Sequence, residues 1–198
     1  ADYLLHTPLG DIEIHQSVLG LNNVSNGAAA ATCALAVGIR LDDIRAGLNQ
    51  VAQVSGRLFC RRGVHGARVL DDAYNANPDS MAGAIDVLTN FNGIRVFVMG
   101  AMAELGEGAA EYHRQMGEKS RVAGIDRLIC VGSATKPAAE AYGSKAMWVD
   151  NNEEAAQQCL ELLGPNTTVL VKGSRSASLD EVVTMITDLE GQHAVLAN

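Results

Sequence analysis

The segment Asp71-Asp72-Ala73-Tyr74-Asn75-Ala76-Asn77-Pro78-Asp79-Ser80 crowds adjacent carboxylates, a phenol, amides and a hydroxyl into one short stretch. It follows an apolar run and precedes a helical pattern, so it reads as a strand-to-helix turn. A carboxylate leaving a strand is well placed to accept both hydroxyls of a ribose, and Asp72 is assigned that role. Asp79 is assigned to capping the next helix, since Asp and Ser are common N-caps and Asn-Pro is an ordinary turn former.

A second chemical cluster is Lys172-Gly173-Ser174-Arg175-Ser176, again between an apolar strand and a helix. Two cations, a hydroxyl and free amide groups at a helix entrance suit a carboxylate or a phosphate. Cations at a helix N-terminus oppose its dipole, which favours an anionic visitor over a plain solvated loop. Asn22, Asn23 and Asn26 stand at another helix start, where capping is the simpler role, although an Asn side chain also matches an adenine edge. Arg57, between Gly56 and Leu58, is on its chemistry alone equally a surface cation.

The elements that must hold these groups follow from periodicity. Tyr3 to Gln16 alternates apolar and polar residues around Pro8-Leu9-Gly10-Asp11, which predicts a β-hairpin. Helices are expected over Asn23–Val37, capped by asparagine and ended by Gly38, and over Asp42–Val51, capped by Asp42. From Arg68 the pattern becomes short apolar runs alternating with amphipathic stretches, the mark of a parallel sheet covered by helices. The expected strands are Arg68–Asp71, Ile94–Met99, Arg127–Val131, Ala146–Val149 and Thr167–Val171. The expected helices are Asp79–Thr89, Ala109–Val122, Thr135–Tyr142, Asn152–Leu163 and Ser178–Leu189. The fold class is therefore α/β: a doubly wound, Rossmann-like, mostly parallel sheet preceded by a hairpin and helices, with a boundary that gives domains 1–64 and 65–198.

Composition narrows the function classes. The chain has 198 residues, 47% hydrophobic and 19% charged, enough to bury a core, and it begins at Ala1. Its net charge of -8 and its lack of basic-aromatic clusters argue against nucleic acid. The four cysteines are scattered and read as buried thiols of a reducing compartment. No His or Cys spacing suits a metal site, and no apolar run approaches a membrane span of about 20 residues; a cytoplasmic location is expected. Neither G-x-G-x-x-G after the first sheet strand nor G-x-x-x-x-G-K-[ST] anywhere is present, so any nucleotide is met without a phosphate cradle in this sequence.

Taken in order, Gly20-Leu21-Asn22-Asn23-Val24-Ser25-Asn26, Ser55-Gly56-Arg57-Leu58, the Asp71–Met81 segment, Gly100-Ala101-Met102-Ala103-Glu104-Leu105-Gly106-Glu107 and the Lys172–Ser176 loop resemble the Mur ligase family. The resemblance covers nearly the whole chain. Its departures are Asn22, where the family usually has His, and Ala101, where it usually has Asp. It implies an ATP-dependent amide-bond-forming ligase of peptidoglycan precursor synthesis, working through an acyl phosphate with Mg²⁺. The Tyr74–Pro78 run resembles the member that takes D-alanyl-D-alanine and UDP-N-acetylmuramoyl-tripeptide. By that resemblance Asn23 and Asn26 hold adenine, Arg57 helps hold the nucleotide and Asp72 binds the ribose. Asp71 is the second choice for the ribose. Tyr74, Asn75, Asn77, Lys172, Ser174 and Arg175 would face the substrates. Residues 1–64 would be the end of a central ATPase domain and residues 65–198 the carboxy-terminal ligase domain. The P-loop, the catalytic residues and most Mg²⁺ ligands would lie outside this chain, which alone would be inactive. The alternatives are a folylpolyglutamate synthetase-like ligase and a non-catalytic nucleotide-binding α/β module.

Overall fold

The structure is a computed structural model that describes residues 1–187. It divides into two compact units, Ala1–Val54 and Ser55 onward. In the first unit, β1 (Asp2–Thr7) and β2 (Gly10–His15) form an antiparallel hairpin closed by Thr7 opposite Gly10. Alternation buries Ile12 and Ile14, which pack with Ala31 of α1 (Leu21–Ala36) and with Ile44 and Leu48 of α2 (Leu41–Asn49).

Neither helix is capped as the sequence predicts. Gly20 is the N-cap of α1, with no side-chain cap bond, and the asparagines lie inside the first turns. Asn23 turns its Nδ2 back to the Leu19 carbonyl, 2.8 Å away, so it satisfies an acceptor and caps no amide. For α2 the N-cap is Arg40, and Asp42 sits in the first turn, where its charge favours the helix dipole and pairs with Arg45 at 3.0 Å.

The second unit carries a six-stranded sheet ordered β3-β4-β8-β5-β6-β7. Its strands are β3 (Phe59–Arg62), β4 (Arg68–Asp72), β5 (Ile94–Met99), β6 (Arg127–Val131), β7 (Ala146–Val149) and β8 (Thr167–Lys172). All pair in parallel except β3, which lies antiparallel on the outer edge of β4. The sheet is buried on both faces. Val69, Val96, Val98, Ile129, Val169 and Val171 pack with residues of α6 (Asn152–Leu160) and α7 (Asp180–Ile186). The alternate residues Leu70, Phe97, Met99, Leu128 and Leu170 are equally buried on the opposite side. There α3 (Pro78–Thr89) contacts α4 (Ala109–Val122), and α4 contacts α5 (Lys136–Tyr142).

Several boundaries move for identifiable reasons. The break between units comes earlier than the expected one after Val64, because β3 already belongs to the sheet. Helix α3 is capped by Asn77, which exchanges bonds with Ser80 in a capping box, and Asp79 is not the cap. Helix α7 starts at Asp180, two residues after Ser178 takes a left-handed turn, and the expected end at Leu189 lies outside the described residues. Helix α6 stops at Leu160, before the expected Leu163. Cys130 and Cys159 are buried thiols pushed up to about 12 by desolvation, whereas Cys33 is exposed.

The α4–α5 contact rests on one glycine. A Cβ on Gly117 would stand 2.1 Å from the Ala138 carbonyl oxygen, whereas one on exposed Gly47 in α2 would meet nothing within 4 Å. Gly117→Ala should therefore cost about 1–3 kcal/mol through overpacking. Gly47→Ala should gain about 0.5–1 kcal/mol by removing backbone freedom. Urea unfolding of both variants checks the contrast, and a neutral Gly117→Ala would mean that the two helices can part without cost.

Candidate functional site

The carboxyl ends of β4, β8 and β5 gather the turn after Asp72, the Lys172–Ser176 loop and the Gly100–Leu105 loop on one edge of the sheet. Asp72 and Lys172 are direct register partners on β4 and β8. The Lys172 ammonium lies 2.7 Å from the Asp72 carboxylate and donates to the Asn75 carbonyl at 2.8 Å, and Lys172 is only 2% exposed. Asp72 also accepts from the Leu58 amide at 3.1 Å. Burial pushes the Asp72 carboxyl above its ordinary value, against the pull of Lys172.

Strand alternation sends the neighbouring Asp71 to the other face. There it accepts from the Arg61 guanidinium at 2.9 Å and from the Gly56 amide at 3.1 Å. Neither carboxylate is thus a free acceptor: one closes on Lys172, the other on Arg61. Arg61 was not anticipated as a site residue. Its signal was the charge of Arg61 on an edge strand beside a buried acid, which only the β3–β4 pairing reveals.

Gly56 takes φ +77, and a Cβ there would meet the Tyr74 Cβ at 3.0 Å, so the 55–58 turn runs close against the turn after β4. That approach puts exposed Arg57 over the Tyr74 ring, 4.5 Å from its centroid, while Arg175 comes to 5.8 Å from the same ring. Cation-π contact spreads each guanidinium on the ring without neutralising it. A cavity of about 640 Å³ opens here, lined among others by Tyr74, Asn75, Asn77, Glu104, Ser174 and Arg175. A second, of about 510 Å³, lies toward α7, where Asp71, Arg61 and Gly56 join Tyr74 and Arg175.

Five of the expected substrate-facing residues therefore share the larger cavity, and Glu104 joins them. The sixth does not: Lys172 is committed to Asp72 and Asn75, because the β4–β8 ladder sets it inside the sheet end. Ser174 is buried, with its hydroxyl 3.0 Å from that of Ser176 and its amide bonded to the Ala101 carbonyl. Asn23 and Asn26 stand on α1 in the first unit, Asn23 half-buried and Asn26 exposed. Among the described residues no group of three or more His, Cys, Asp or Glu is arranged to hold a metal ion. None of their helices is long and apolar enough to cross a membrane.

A doubly wound parallel sheet with an antiparallel edge strand, and with its polar loops gathered at the strand carboxyl ends, is an α/β domain of the Rossmann-like class. The family description "Mur ligase, glutamate ligase domain" matches residues 56–175, more than half of the chain, and the chain belongs to the Mur ligase family. It is 39% identical over 183 residues to the UDP-N-acetylmuramoyl-tripeptide–D-alanyl-D-alanine ligase of Escherichia coli, covering 92% of this chain and 40% of the relative. Among solved structures it is similar to MurF from Acinetobacter baumannii, with a TM-score of 0.85, 33% identity, and coverage of 92% of this chain and 41% of that one. It is also similar to MurF ligase from Thermotoga maritima in complex with ADP, with a TM-score of 0.76, 26% identity, and coverage of 92% and 44%. The chain thus spans about two fifths of the length of these relatives.

Proposed function

We propose that this chain serves an ATP-dependent ligase that joins D-alanyl-D-alanine to UDP-N-acetylmuramoyl-tripeptide in peptidoglycan precursor synthesis. The observation that carries this is the 39% identity, over 92% of the chain, to a ligase bearing that name. We assign residues 1–54 to the end of the ATP-binding domain and Ser55 onward to the carboxy-terminal ligase domain, moving the boundary to where the units divide.

ATP, when bound, supplies the phosphoryl group that turns the tripeptide carboxylate into a reactive acyl phosphate. The exposed Arg57 guanidinium fits an anionic nucleotide. We assign Asn23 and Asn26 to adenine and Asp72 to ribose, the last through lone pairs left over from Lys172 and Leu58. Mg²⁺ ligands and the phosphate cradle belong, on this proposal, to sequence outside this chain, and the chain alone does not turn over.

The larger cavity suits the dipeptide. Arg175 would receive its carboxylate, and the acidic Glu104, which lines the same cavity, suits its ammonium end; Asn75, Asn77 and Ser174 add amides and a hydroxyl. Holding the amine within about 3–3.5 Å of the acyl phosphate carbon, away from water, is the physical task. The amine then attacks, phosphate leaves with the bonding pair and the amine loses a proton as the amide forms. The reaction would run in the cytoplasm, where ATP is available.

The test uses the complete polypeptide with ATP and the tripeptide precursor, offered D-alanyl-D-alanine, D-alanine or glutamate as amine. ADP release should require the D-alanyl dipeptide. Turnover with glutamate on a folate acceptor would instead establish a folylpolyglutamate synthetase-like activity, and no turnover with any amine would leave a nucleotide-binding module.

A further inference from the structure

His113, on α4, is fully buried and plays no part in the chemistry proposed above. Its Nε2 accepts from the Met102 amide at 2.9 Å, and its Nδ1 lies 2.6 Å from the Ala109 carbonyl. An amide can only donate and a carbonyl can only accept, so the ring is neutral with its hydrogen on Nδ1. Both nitrogens are spent on fixed backbone groups.

What those bonds hold is the loop that leaves β5 and runs to the larger cavity. Gly100 donates to the Lys172 carbonyl at 2.9 Å and Ser174 donates to the Ala101 carbonyl at 2.8 Å, so the loop's first residues are tied to the substrate-facing loop itself. Met102 is the next residue, and its amide is held by the histidine. Immediately beyond, Ala103, Glu104 and Leu105 line the cavity. Glu104 adopts φ +61, a left-handed conformation unusual for a side-chain-bearing residue, which persists only where the surroundings impose it.

We infer that His113 is a positioning residue for the amine-substrate cavity: by fixing the Met102 amide it sets the backbone that carries Glu104, which lines that cavity together with Arg175. The inference rests on the proposed dipeptide site. It assigns His113 no contact with substrate.

The chain is titrated with D-alanyl-D-alanine, following amide shifts by NMR, while exchange of the Met102 amide is recorded in the absence of dipeptide. His113→Phe, which fills the space without an acceptor, should weaken dipeptide binding about two- to tenfold, the size of one neutral hydrogen bond, and should free the Met102 amide to exchange. His113→Gln, long enough to accept from that amide, should restore both. If His113→Phe does not fold, His113→Asn replaces it, since its shorter amide falls short of Met102. An unchanged Kd when the Met102 amide is freed, or a Gln variant that restores protection without restoring affinity, would overturn the inference. Arg175→Ala separates this from the larger question. Dipeptide binding lost in Arg175→Ala yet untouched in the freed histidine variant sinks the positioning role alone, whereas a wild-type chain that ignores the dipeptide sinks the site and the inference together.

Discussion

Replacing Lys172 with methionine should lower stability by about 3–5 kcal/mol near neutral pH, the usual cost of stranding one member of a buried ion pair. The variant leaves the Asp72 carboxylate facing an apolar chain and deprives the Asn75 carbonyl of its donor. The pH dependence follows from the direction of the Asp72 shift. Burial already raises this carboxyl in the folded state, so its contribution is present below the unfolded value, about 3.9, and is lost as pH rises through the folded one. Removing Lys172 takes away the only charge pulling it down and lifts the folded value further. The deficit of Lys172→Met should therefore be greatest at neutral pH and shrink as acid protonates Asp72. Adding Asp72→Asn should recover much of the loss. Urea melts of the single and double variants across pH would show this; a loss below about 1 kcal/mol, or one that ignores pH, would mean the pair is solvated and weak.

On the proposed function, Arg175→Ala made in the complete polypeptide should raise KM for D-alanyl-D-alanine and lower kcat/KM about ten- to a hundredfold while KM for ATP barely moves. A charge-assisted hydrogen bond to the dipeptide carboxylate is worth roughly 1.5–3 kcal/mol. Of the two cations in the loop, only Arg175 is exposed on the cavity; Lys172 is inside and spoken for. Arg175→Lys should recover part of the loss, since a point charge keeps the attraction without the bidentate fork. Steady-state kinetics with each substrate varied in turn decides it, and an unchanged dipeptide KM in Arg175→Ala removes this arginine from the site.

The parallel strands could be read from the chain because a strand buried on both faces is a continuous apolar run. Ile94–Met99, Arg127–Val131 and Ala146–Val149 emerge as expected, and β4 and β8 each extend by one residue, Asp72 and Lys172. Those two residues are polar, which is why an apolar pattern stops short of them. β3 was illegible for the opposite reason. Phe59-Cys60-Arg61-Arg62 is half cationic and stands at a sheet edge, where pairing comes from backbone and from the acid opposite, not from hydrophobic period.

The site shows the same division. Tyr74, Asn75 and Asn77, singled out in one local turn of the sequence, line a common cavity. Residues whose role depends on a distant neighbour could not be placed. The capture of Lys172 by Asp72 requires knowing that β8 lies beside β4, and the bond between His113 and Met102 requires knowing how α4 packs under the loop. Helix caps failed on a finer scale: at α3 the cap is Asn77 and not the expected Asp79, because Pro78 fixes the first helical residue.

The strand order has a consequence for how the chain is made. β8 is synthesised after β4 and β5, yet it lies between them and pairs with both. Until a ribosome has passed Lys172, the inner edges of β4 and β5 have no strand to meet, and Asp72 has no cation. Those open edges are templates for wrong partners. The inner edges of β4 and β5 therefore stay without their native partner until β8 has been made, and the Asp72–Lys172 pair can close only then. Shortening that open state, by faster elongation between Met99 and Lys172, or shielding it with a holdase until β8 has emerged, should raise the yield of this chain.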